Sequence, residues 1–262
     1  MATSDFPFPI KLPGVSIYKM RGTNKMVARG KGGPSAEKVR TDPKFIGTRN
    51  QQSQFSVSSS TAKKIRDAMF SVSHLADYPL HGHLVKLNAA VMEMDPDNRL
   101  GKQSLIFSRG LHFFEGLSLN RGITFDSVVT TPIPYTLDRS ECRATLHLPS
   151  LSAGINFNSP WTYPFFRFRM NLGIVRDMVF VDHKGYQPLT PAVNEHTAGF
   201  DTEWAPVKVG YPSQVVELQI TNPVFDEHCH LVLSVGIEFG SQSRGTIQHV
   251  KYAGCAKILA MG

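Results

Sequence analysis

Leu231, Leu233, Val235, Ile237 and Phe239 are separated one by one by Val232, Ser234, Gly236 and Glu238, and this strict period of two constrains the chain more than any other feature. Successive side chains of a strand point to opposite faces, so such a segment buries one face and leaves the other mixed. The same alternation runs through Phe166, Phe168, Met170 and Leu172, set against Phe165, Arg167, Arg169 and Asn171. It recurs in Val216, Leu218 and Ile220, set against Glu217 and Gln219. Shorter strand candidates are Ile123–Val129, Arg143–Leu148 and Thr246–Ala253. The connections are rich in Pro, Gly, Asn and Asp, as at Pro132-Ile133-Pro134 and Ser159-Pro160. Many strands joined by such turns, with no helices between them, specify an antiparallel sandwich or barrel. The expected fold class is therefore mainly β, an antiparallel β-sandwich of jelly-roll-like form, with an extended N-terminal arm and two short helices. A faint internal echo accompanies it. Arg143–Leu148 precedes a long strand ending Leu172-Gly173-Ile174, and Val215–Ile220 precedes one ending Val235-Gly236-Ile237.

The two helices are expected in a segment spanning residues 61–95. Ser60 or Thr61 offers an N-cap, and Ile65, Ala68, Met69, Val72, Leu75 and Ala76 follow helical spacing. Tyr78-Pro79 interrupts the run, because a residue before proline disfavours the α region. A second stripe follows at Leu80, Leu84, Leu87, Val91 and Met94. Amphipathic helices of this kind cover one face of a sheet. The sequence thus divides into a basic arm rich in Gly, Pro and Ser over 1–60 and a β-rich domain over 61–262.

Charge makes the same division. Residues 1–66 carry 13 Lys/Arg against 3 Asp/Glu, a net of +10, and the rest carries 15 against 18, a net of −3. The arm cations are Lys19, Arg21, Lys25, Arg29, Lys31, Lys38, Arg40, Lys44 and Arg49. Gly22, Gly30, Gly32, Gly33, Pro34, Pro43 and Gly47 punctuate any helix or strand there. A basic, adaptable segment meets something acidic: a phosphate backbone or the surface of a neighbouring copy. Tyr18 and Phe45 are the arm's aromatic residues within the basic run, whereas nucleic-acid modules interleave stacking rings with cations.

Chemistry-bearing patterns are sparse. Gly30-Lys31-Gly32-Gly33-Pro34-Ser35 lacks the Lys-Ser/Thr ending of a phosphate loop, and Pro34 removes a needed N–H. In Asp226-Glu227-His228-Cys229-His230, the imidazoles of His228 and His230 share one side of a strand, which makes them weak metal candidates without a third ligand at recognised spacing. His74, His81 and His83 surround the helix break. Glu93/Asp95 and Asp201/Glu203 are carboxylate pairs of the kind glycosidases use. Trp161, Tyr163, Trp204 and Tyr211 sit in Pro-rich loops, as sugar-stacking rings or as buried anchors. There is no G-x-S-x-G, H-E-x-x-H or Cys/His nucleophile context. Neither a catalytic residue nor a cofactor is assigned. Cys142, Cys229 and Cys255 are odd in number and widely spaced, which fits a reducing compartment. No stretch is apolar enough for a membrane span, and a cytoplasmic location is expected.

Ile17-Tyr18-Lys19-Met20-Arg21-Gly22-Thr23, Lys31-Gly32-Gly33-Pro34-Ser35-Ala36-Glu37-Lys38, Asp42-Pro43-Lys44-Phe45-Ile46-Gly47-Thr48-Arg49 and the ending Val250–Ala260 together resemble a family of uncharacterised proteins from Bacteroidetes-type bacteria. The resemblance covers most of the chain. It implies a bacterial origin and transfers no activity and no functional residue. The expected function is a non-enzymatic structural protein that self-assembles as a homo-oligomer through the basic arm. The alternatives are a coat-like nucleic-acid-binding protein using the same arm and a carbohydrate-binding sandwich.

Overall fold

The structure is a computed structural model and describes residues 2–4, 14–20, 23–30, 32–97, 100–191, 197–243 and 245–262. Arg21 and Lys31 of the basic run lie outside the described residues. The chain divides into two units, Met1–Arg49 and Asn50–Gly262.

The described residues of the first unit form short elements. Strands β1 (Ala2–Ser4), β2 (Val15–Lys19) and β3 (Met26–Gly30) form an antiparallel sheet in the order β1-β3-β2. Val15, Ile17 and Val27 supply β-branched residues to strands short enough to fit between the glycines. Helix α1 (Ala36–Thr41) follows. Ser35 caps its N-terminus by accepting from the Lys38 amide at 3.2 Å, and Asp42 caps the next 3-10 turn, Pro43–Phe45.

Helix α2 (Ile46–Ala68) begins well before the expected cap at Ser60 or Thr61. Ser58, Thr61 and Ala62 are buried in its interior face with Val57, Ile65 and Ala68. Two further helices follow, the single turn α3 (Phe70–Ser73) and α4 (Leu80–Glu93). The serine-rich end of the expected arm is a helix–helix contact. Asn88 of α4 donates to the Ser58 carbonyl at 2.9 Å, and the Ser58 hydroxyl lies 3.3 Å from the Met92 sulfur. Small side chains on α2 leave room for α4.

The β-rich body is sandwich-like. Its remaining elements are the helical turn α5 (Phe125–Val128) and strands β4 (Tyr135–Asp138), β5 (Arg143–Leu148), β6 (Phe165–Arg176), β7 (Met178–Val181), β8 (Gly185–Pro188), β9 (Thr197–Asp201), β10 (Ala205–Pro206), β11 (Gln214–Gln219), β12 (Cys229–Ser243) and β13 (Thr246–Met261). A five-stranded sheet runs β10-β6-β12-β13, with β9 also pairing β6; a three-stranded sheet runs β11-β5-β4. All their pairings are antiparallel. The candidate strand at 123–129 is α5 instead, because Phe125, Val128 and Val129 are buried at the i, i+3, i+4 spacing of a helical face.

The large sheet separates two apolar cores. Phe166, Phe168, Met170 and Leu172 of β6 and Leu231, Leu233, Val235, Ile237 and Phe239 of β12 pack with Ala144, Leu146, Leu148, Val216 and Leu218 of the small sheet. The opposite face carries Val175, Val232, Ala256 and Ile258, which pack with Ile65, Met69, Val72, Leu84 and Val91 of the helices. Close approach of the helical layer depends on glycine. A Cβ on Gly173 would stand 2.2 Å from the Ala68 carbonyl oxygen.

Candidate functional site

The basic unit presents its cations outward. Lys19, Lys25, Arg29, Lys38, Arg40 and Lys44 are exposed, and none of them has a carboxylate partner among the described residues. Lys38 and Arg40 lie in the last turn of α1, where the helix dipole favours positive charge. Arg49 differs from the others. It is half-buried and donates to the carbonyls of Val39 at 2.8 Å and Asp42 at 2.9 Å, so it ties down the end of α1.

The strongest electrostatic feature of the body is not singled out by its sequence. Glu238 of β12 is 1% exposed and stands opposite Arg167 of β6. Arg167 donates to its Oε1 at 2.6 Å, and Arg169 reaches its Oε2 at 3.3 Å. Arg169 also binds Asp201 of β9, its cross-strand partner, at 2.9 Å. His74, just after α3, lies 3.2 Å from Glu238, and the Arg167 guanidinium sits 4.6 Å from the Trp204 ring centre. Burial on its own raises the Glu238 carboxyl, but the His74 and Arg167 contacts and the charges of Arg169 and Arg167 outweigh it and hold the group at about 2. The network is a closed ion cluster on the helix-facing side of the sheet. The signal is present in the residues: opposite charges on one face of alternating strands, with amphipathic helices available to cover that face.

His228 lies in the turn before β12 and His230 on the strand, and both approach one carboxylate. His230 is 3.1 Å from Asp177 Oδ1 and His228 is 3.9 Å from Oδ2, while Asp177 Oδ1 also accepts from the Phe107 amide at 2.8 Å. Among the described residues no group of three or more His, Cys, Asp or Glu side chains is placed to hold a metal ion. His81 lies 3.1 Å from the Ser59 hydroxyl, and the His83 ring packs edge-on to Tyr78. Burial, then the charges of Arg121 and Lys86, lower the pKa of His83.

The carboxylate pairs separate into ion pairs. Asp95 binds Arg109 at 2.9 Å and accepts from the Ser104 amide, and Asp201 belongs to the Glu238 network. All three cysteines are buried, and burial is the leading cause that pushes each thiol upward in pKa, which leaves them protonated and poorly nucleophilic at neutral pH.

No family model, curated protein or solved structure matches the chain.

The loop aromatics are anchors for the most part. Tyr211 packs on Phe166 and Phe168, Tyr163 packs on the sandwich core, and Trp204 lies beneath Arg167. Trp161 packs on Phe239 but also lines a cavity beside β13. Tyr252 stands at that cavity, 82% exposed and at φ +66°, a left-handed conformation that is an outlier for a bulky residue and costs about 1–3 kcal/mol. No helix among the described residues is long and apolar enough to cross a membrane.

Proposed function

We propose that the chain is a non-enzymatic structural protein that self-assembles, with the basic N-terminal unit of one copy contacting the body of another. The observation that carries this reading is the distribution of charge between the two units. Residues 1–49 hold ten Lys/Arg against three Asp/Glu, a net of +7, whereas residues 50–262 hold eighteen against eighteen. The body is thus neutral overall rather than mildly acidic, because Lys63, Lys64 and Arg66 belong to α2. The whole formal charge of the chain resides in a unit whose exposed cations have no carboxylate partner among the described residues.

Acceptors of matching chemistry exist on the body. Glu141, Glu217 and Glu227 are exposed. They belong to the β4–β5 turn, to β11 and to the turn before β12. Gln219 donates to the Glu141 carbonyl at 3.5 Å and Arg139 to the Cys229 carbonyl at 2.9 Å, which gathers these segments at one end of the small sheet. Exposed pairs contribute little singly, so such a contact depends on several acting together and weakens with salt.

Light scattering of the full chain, of residues 50–262 and of Lys19→Glu/Lys25→Glu/Arg29→Glu tests the reading. The expected result is an oligomer for the full chain and a monomer for both variants, with partial rescue of the charge-reversed chain by Glu217→Lys/Glu227→Lys. A monomeric full chain would sink the proposal. Copurifying material that absorbs at 260 nm, with affinity falling steeply as salt rises, would instead favour the nucleic-acid reading.

A further inference from the structure

We infer that the cavity beside β13 is a binding site for a single sugar ring, independent of the assembly reading. The cavity measures about 210 Å³ and is lined by Leu75, Asp77, Ile123, Trp161 and Tyr252, with Asn120 at its base. Binding pockets pair apolar and aromatic walls with a few fixed polar groups. Here the fixed acceptor is Asp77.

Asp77 is held in place by backbone donors. Both its oxygens accept from the Arg121 amide, at 2.9 and 3.0 Å, and Oδ2 accepts from the Gly122 amide at 3.0 Å. An ionised carboxylate offers about four acceptor positions, so two N–H groups leave room for further donors. Asn120 is fully engaged. Its Nδ2 donates to the Leu75 carbonyl at 2.8 Å and its Oδ1 accepts from the Ala256 amide at 2.9 Å, which locks the floor of the cavity. The site is therefore preorganised around a carboxylate acceptor, with the polar tips of Trp161 and Tyr252 in the walls.

Tyr252 owes its position to a bulge. β13 pairs with β12 at Gly254↔Glu238 and again at His249↔Gly240, so Val250–Ala253 stand opposite Phe239 alone. This lifts the Tyr252 ring out of the sheet into the left-handed conformation at φ +66°. A Tyr where glycine or asparagine would be relaxed is a candidate for a functional role at the expense of stability.

The chemistry narrows the ligand. A carboxylate repels anions, and a purely apolar ligand would strip water from its remaining acceptor positions without replacing it. Arg121, stacked 4.3 Å from the centre of the Tyr78 ring next to Asp77, already sets a positive charge there and disfavours a second cation. A neutral polyol with one apolar face meets both demands. Its ring lies against Trp161 and Tyr252 while adjacent hydroxyls donate to Asp77.

The test is a titration of the full chain with neutral monosaccharides (glucose, galactose, mannose and xylose), read by Trp161 fluorescence in a Trp204→Phe background and by saturation-transfer NMR. At least one sugar is expected to bind saturably in the millimolar range. Tyr252→Ala is expected to weaken it by about tenfold. Tyr252→Gly is expected to lose binding while raising the melting temperature, a combination that a purely structural role for Tyr252 does not produce. Absence of saturable binding by every sugar, or binding that Tyr252→Ala leaves unchanged, overturns the inference.

Discussion

The Glu238 carboxylate stays ionised in the folded chain well below the pH at which it protonates in the unfolded one. Its folded value is lowered from 4.5 to about 2, so its contribution to stability is fully present above about 4.5 and is lost as pH falls toward 2. Acid titration followed by circular dichroism is expected to show this loss in the native chain and its absence in Glu238→Gln. At neutral pH the same substitution leaves two partly buried guanidiniums with Asp201 as their remaining counter-ion and costs about 3 kcal/mol by urea denaturation. The alternation around Arg167, Arg169 and Glu238 is legible in the sequence, and so is their shared face. Their burial is not, because period two says which residues lie together and not whether a second layer covers them. The approach of Asp177 to His230, 53 positions away, is not legible either. The conformation of Tyr252 has no sequence signal at all, since tyrosine is not a residue that announces a left-handed turn.

At the scale of elements, the long strands and their polarity follow from periodicity, while the helices are misplaced at their starts. α2 has too few large apolar residues before Val57 to register as amphipathic, and its buried serine and threonine read as chain rather than as helix contact. A chain starting at Thr61 lacks Val57 and the Ser58 carbonyl that receives Asn88, and is expected to be less stable than one starting at Asn50 by about 3 kcal/mol, measured by thermal unfolding. Gly173→Ala drives a methyl group into the Ala68 carbonyl and is expected to destabilise the helix–sheet junction by about 1–3 kcal/mol in the same assay. The faint sequence echo acquires a spatial meaning. The short members β5 and β11 pair with each other in one sheet, and the long members β6 and β12 pair with each other in the other.

At the scale of the whole molecule, charge and fold divide the chain at nearly the same place, and the charge division is readable from the residues alone. That the described residues of the first unit form short strands and a capped helix is not, because each of these elements is only a few residues long and the limits of the helical ones rest on single capping side chains. If assembly runs through this unit, the dissociation constant is expected to rise with each increment of sodium chloride, as followed by analytical ultracentrifugation, while the unfolding of residues 50–262 changes little. The large sheet has a separate consequence. β12 is hydrogen-bonded to β6 along one edge and to β13 along the other, with an apolar core against each face for much of its length. Its amides reach deuterated solvent only when both layers come apart, so Leu231–Ile237 are expected to be the slowest protons in the chain to exchange and to report the free energy of global opening.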